Sequence, residues 1–194
     1  MDSLTQSERE RITKYVMQAH NQVLQTVRRL SGAQLDFKED ATRWSIIENV
    51  EHLAIVHSLV LSHVQQLSAS PIRERPKQSQ WRGRDDALLA EIRNRENRLN
   101  VPEIGCPKSQ VTHEEMFRRF EAIRDHIVEF AETTNAPLRW FSFPHPLFGE
   151  KDCYQWLLGT GAHCERHLAQ ISEVIAADGF PQFAVINSIE HGQG

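Results

Sequence analysis

His163 and His167 stand four residues apart in the segment Gly159-Thr-Gly-Ala-His-Cys-Glu-Arg-His167. On a helix that spacing puts both imidazoles on one face, about one turn apart, so that both can grip one divalent cation. Ten histidines in 194 residues would supply roughly half of one such pair by chance, so spacing needs support from context. Gly159 and Thr160, about one turn before His163, are small and leave room for a ligand beside the pair. Two ligands on one helix require at least a third, which helix bundles supply from a facing helix. His52, flanked by Leu53, Ile55, Val56 and Leu59, is the choice that points toward a core. His57 is rotated well away from it on a helical wheel, whereas His63 shares its face about three turns further on and stays open as an alternative. A histidine on a half-buried helix is by default a hydrogen-bonded packing residue, so each assignment depends on the others.

Three neutral imidazoles on a divalent ion leave at least one coordination position open, as in catalytic rather than structural sites. Such an ion makes a nucleophile near neutral pH, either by acidifying water or by holding a thiol as thiolate. Hydrolysis of a small ester or amide is then one expected chemistry, with Glu48 as its base. The ligand set suits several borderline ions and does not choose among nickel, zinc, iron and manganese. Cys106, Cys153 and Cys164 show no CxxC spacing and predict neither a disulfide framework nor a thiolate cluster; the latter two are expected as buried packing residues.

Four long amphipathic helices must hold these histidines. The first runs from about Ser7 to Leu30, with Gly32 just past its end; the second starts at Ser45, where Glu48 completes a capping box, and reaches about Ser68. Residues 69 to 83, with two prolines and several basic residues, predict a connection that crosses the molecule. Residues 84 to 99 suggest a short, charged, peripheral helix. The third long helix starts at Thr112, with Glu115 completing another capping box, and ends near Thr134. Asn135 to Gly149, rich in proline and in Trp140, Phe141, Phe143 and Phe148, reads as an apolar loop over one end, a roof for a pocket or a dimer interface. The fourth helix opens at Asp152, with Gln155 three residues on, and stops at Gly179 before Pro181; the last fifteen residues read as a tail. The expected class is all-α, one helical-bundle domain over residues 1–194.

Lys plus Arg at 22 against Asp plus Glu at 26 gives a net charge of −4, which offers no footprint for a nucleic acid. No run approaches a membrane span, and the polar, acidic start does not resemble a signal peptide, so a cytoplasmic location is expected.

The string Trp44-Ser-Ile-Ile-Glu-Asn-Val-Glu-His52-Leu53, then His145-Pro-Leu-Phe-Gly149, then Trp156 with His163-Cys-Glu-Arg-His167-Leu-Ala-Gln170-Ile171, resembles the DinB/YfiT-like superfamily in order and spacing. The tryptophans eight residues before His52 and seven before His163 are part of that likeness. The resemblance implies an up-down four-helix bundle with a long crossover and a metal, typically nickel or zinc, bound by His52, His163 and His167. It implies that His145 lies near the metal pocket. Because several members are thiol S-transferases or thiol-dependent isomerases, it also implies a small-molecule substrate and a low-molecular-weight thiol. Within that reading Arg166 is expected to pair with a carboxylate of the cosubstrate, and Gln170 or Glu48 to orient the imidazoles. A non-catalytic, stress-related, metal-binding homodimer is the expectation from a different class.

Overall fold

The computed structural model describes residues 3–71, 81, 83–96, 102–108 and 110–182. Helices α1 (Gln6–Val27), α3 (Ile46–Ser68), α5 (His113–Thr133) and α6 (Cys153–Ala176) form the bundle. α1 and α3 each pack against both α5 and α6 and face one another across the diagonal. Their apolar stripes meet in one cluster in which Ile12, Leu53, Phe120, Leu157 and Ile171 are fully buried.

Side-chain pairs fix the helix directions. Near the start of α1, Arg9 donates to the carbonyls of Ala131 and Thr134 at the end of α5, while Arg28, past the end of α1, pairs with Glu121; α1 and α5 are antiparallel. Arg139 joins Glu8 of α1 to Asp152 at the start of α6, and Gln34, beyond α1, donates to the Pro181 carbonyl beyond α6; these two helices are parallel. Asn49 meets His167, while His63 and Trp156 both pack on Phe143, so α3 and α6 are antiparallel. α3 and α5 therefore run the same way, in an up-down-down-up order. Parallel helices joined in sequence require a connection as long as the bundle, which is the crossover expected from residues 69 to 83 and beyond. Most of that segment, residues 72–80 and 82, lies outside the described residues, as do 97–99 of the expected short helix and 183–194 of the expected tail.

Capping residues start the helices where expected at Ser45 with Glu48 and at Asp152 with Gln155, both reciprocal boxes. Elsewhere the structure corrects the reading. α1 starts earlier, at a Thr5–Glu8 box, and ends at Val27; Gly32 does not stop it but opens a short helix α2 (Gly32–Asp36) capped by Ser31. Thr112 caps α5, but the Glu115 carboxylate pairs with Arg118 and Arg119, so that box is half made. The helix α4 (Asp85–Arg93) is not peripheral: it lies along α6 and buries Leu88, Leu89 and Ile92. The apolar loop contains an antiparallel hairpin, β1 (Ser142–His145) with β2 (Gly149–Asp152), in which Phe143 pairs with Lys151. Two four-residue strands interrupted by Pro144 are too short for an alternating pattern to be seen in sequence. Gly149 closes the hairpin with φ 66°, a left-handed conformation that favours glycine.

Candidate metal centre

α3 and α6, facing each other in opposite directions, bring His52, His163 and His167 together, with donor atoms all within 4.8 Å of one another. The Nε2 atoms of His52 and His163 are 3.3 Å apart, and those of His167 and His163 are 3.1 Å apart. Nitrogens bound to one ion at zinc-like distances would be about 3.0–3.4 Å apart, so the spacing suits a shared cation.

The other ring nitrogens decide where the protons are. His52 Nδ1 lies 2.7 Å from the carbonyl of Gly105, in the 3-10 turn Glu103–Gly105, and a carbonyl only accepts, so Nδ1 carries the proton. His167 Nδ1 lies 2.8 Å from Asn49 Oδ1, and the Asn49 amide donates to the Ser45 carbonyl at 2.8 Å, which fixes its oxygen toward His167. His163 is fixed through a relay. The Val16 carbonyl accepts from His20 Nδ1–H at 2.9 Å; His20 Nε2 therefore accepts from His57 Nδ1–H at 3.1 Å, and His57 Nε2 accepts from His163 Nδ1–H at 3.2 Å. All three facing Nε2 atoms are left as bare lone pairs at close range. Lone pairs so placed repel unless a cation lies among them, and burial blocks the alternative of simply charging the rings: it lowers the His52 pKa and drives those of His163 and His167 well below the ordinary histidine range. The donor set fits a divalent transition metal. Trp44 lies against two of the rings, its centroid 4.8 Å from His52 and 6.2 Å from His167.

Beside the triad is a cavity of about 90 Å³ whose wall includes His163, His145, Lys151, Arg166, Trp156 and Phe148. Gly159 and Thr160 also line it, and a Cβ on Gly159 would come within 3.2 Å of Ile92 Cδ1. His145 Nδ1 accepts from the backbone N–H groups of Leu147 and Phe148, and burial lowers its pKa to about 3. Lys151 is buried with its Nζ 3.6 Å from the Trp156 ring centroid, and burial lowers its pKa to about 7.

Three expected supporting roles are corrected. Glu48 is no base for the centre, because its carboxylate accepts from the Ser45 N–H and pairs with Lys38. Arg166 lines the cavity but donates to the carbonyls of Ile92 and Asn94, clamping the end of α4 rather than standing ready for a carboxylate. Gln170 does not orient an imidazole: its Oε1 is buried without a hydrogen-bond partner among the described residues, and Asn49 and Gly105 hold the rings instead. His63 packs on Phe143, away from the triad. His57, set aside on the helical wheel, reaches His163 because that ring offers a nitrogen on each side. His20 carries no motif in the sequence; its place with Val16 and Val23 on the buried stripe of α1 is the one signal of its role. With Cys164 these two form a further group of possible ligand atoms, but the relay already occupies both imidazoles. Burial raises the thiol pKa of Cys153 to about 12 and that of Cys164 well above the ordinary range, in keeping with packing roles.

No helix among the described residues is long and apolar enough to cross a membrane. In comparison with known proteins, the chain is 25% identical over 146 residues to the uncharacterized protein YuaE of Bacillus subtilis (strain 168), a match covering 75% of this chain and 85% of that protein. The sequence model of the DinB superfamily matches residues 15–171, a span that takes in two of the four bundle helices whole, most of α1 and of α6, and all three converging histidines, and the chain belongs to that superfamily.

Proposed function

We propose that His52, His163 and His167 bind one divalent transition metal, nickel or zinc, through Nε2, and that the centre activates a low-molecular-weight thiol for transfer to a small electrophile. The observation that carries the reading is the convergence of three unprotonated nitrogens, each ring held by a partner on its far side. A bound ion supplies Lewis acidity, which favours thiolate over thiol near neutral pH. The Gly105 carbonyl, Asn49 and His57 hold the imidazoles in one tautomer and orientation. Lys151 and Arg166 make the cavity electropositive, which also favours an anionic nucleophile. In the transfer, the thiol proton leaves to solvent and a sulfur–carbon bond forms. The bond from that carbon to its leaving group breaks, and the leaving group departs with the electron pair.

Hydrolysis is the less supported chemistry, because Glu48 is engaged in its cap and no acidic residue is among the described residues lining the cavity.

Elemental analysis of protein prepared without a nickel column tests the centre. About one equivalent of metal is expected, as for a single three-histidine site, and its loss in both His52→Ala and His163→Ala. No uptake after incubation with zinc or nickel, or equal uptake by the variants, would overturn it. For the reaction, loss of cysteine thiol in the presence of chlorodinitrobenzene should depend on the metal; a rate unchanged by chelation ends the thiol reading.

A further inference from the structure

Lys151 is 3% exposed, yet among the described residues its ammonium has no ion pair and no hydrogen bond. Its contacts are ring faces, Trp156 at 3.6 Å and Phe148 at 5.8 Å from the centroids. A buried cation without an anion is costly, and attraction to aromatic faces offsets only part of that cost. The neighbouring carboxylate is already taken, since Asp152 accepts from Arg139 and from the N–H of Gln155. Arg166 brings a second positive charge to the same cavity, and none of the described residues lining it is acidic. Trp156, Phe148, Ile92, Val56 and Val60 supply apolar wall, beside the neutral polar groups of Thr160 and of His57, His145 and His163. The space, about 90 Å³, suits a body of a few carbon atoms, and its chemistry calls for one negative charge at one end.

We propose that Lys151 anchors the carboxylate of a small, apolar-bodied substrate or cosubstrate held in this cavity beside His163. This deepens the proposed function and rests on the cavity being its reaction site. The metal-facing end of the molecule would then be set by the distance from its carboxylate to its reacting atom, so Lys151 selects substrates by length as well as by charge. A one-residue slip in the hairpin register would turn Lys151 to the opposite face, so the pairing of β1 with β2 sets its position.

Calorimetric titration with butyrate and with butyramide, of similar shape but uncharged, tests the anchor in both metal-free and zinc-loaded protein. Wild type should prefer butyrate by at least about tenfold in both forms, as for a hydrogen bond to a charged group. Lys151→Met, which keeps the unbranched stem, should abolish the preference, and Lys151→Arg should retain part of it. Equal binding of the two probes, or a preference that survives Lys151→Met, overturns the proposal. So does a preference confined to zinc-loaded protein, which would assign the carboxylate to the ion. If Lys151→Met does not fold, the wild-type comparison stands with Gly159→Leu, whose side chain would fill the cavity toward Ile92 and Lys151 and must eliminate butyrate binding. Protein that takes up no zinc but still prefers butyrate keeps the anchor and defeats only the metal centre.

Discussion

Each imidazole of the triad is useful only in one tautomer, and each is held there by a neighbour with a single option. Asn49 is the most accessible of these to mutation, because its amide is fixed at one end by the Ser45 carbonyl and its oxygen by His167. Asn49→Ala should leave the three donors in place and weaken metal binding by about 10–100-fold, measured by competition with a coloured chelator. His57→Ala should weaken it similarly, by breaking the relay from Val16 to His163. Unchanged affinity in both would mean that the partners pack without orienting. The same burial makes the metal-free protein sensitive to acid. Burial lowers the pKa of His20 to about 4 from 6.5. Below pH 6.5 the unfolded chain therefore takes up a proton that the folded one refuses. Stability is complete above that pH and falls until about pH 4, by about 3 kcal/mol for this residue alone. Asp152, whose carboxyl is raised to about 6, acts in the opposite sense over part of the window. His52, His57, His163 and His167 are all depressed with His20, so net loss is expected. Urea midpoints at pH 7 and pH 5 check this: a lower midpoint at pH 5 is expected, and equal midpoints would contradict it.

At the level of elements, the close approach of α1 to α6 depends on Gly161. A Cβ there would lie 2.7 Å from Tyr15 Cδ1 and 2.8 Å from Cε1, and the ring is tethered through its hydroxyl, which donates to Glu165. Gly161→Ala should therefore destabilise the fold by about 1–3 kcal/mol despite alanine's better helix propensity, a lowering of the melting temperature that calorimetry can read. Much at this scale was legible in the sequence. Ser45 with Glu48 and Asp152 with Gln155 mark true starts, because a cap is a local bargain between a side chain and its own helix. The burial of α4 was not legible, since Leu88, Leu89 and Ile92 form a short stripe among charges and only the neighbouring α6 shows which face is covered. The site divides in the same way. The i,i+4 spacing exposed His163 and His167, but nothing local marks a backbone carbonyl at Gly105 as a partner of His52. Lys151 was missed because a charged residue on a four-residue strand normally faces water, and its burial depends on Trp156 arriving from another element.

For the whole molecule, the crossover is more than a tether. Its 3-10 turn presents the Gly105 carbonyl to His52, and the Lys108 N–H donates to Glu51 of the same helix. Metal binding should accordingly stabilise the entire fold, by about 2.7 kcal/mol at a free concentration one hundred times the Kd. Hydrogen exchange should slow at the Lys108 amide when zinc is added to the metal-free protein. Stabilisation with no change there would separate the crossover from the centre. The distance in sequence between the two ligand helices has a further consequence, in time rather than space. His52 and His163 are 111 residues apart, so a growing chain synthesised at about 5–20 residues per second displays the first ligand roughly 5–20 seconds before the second exists. Until α6 emerges, α3 presents a single imidazole of the triad, and α6 is also one of the two helices that both α1 and α3 pack against. A metal held by all three histidines would therefore find its full ligand set only once α6 has emerged, which would make loading a late step of maturation.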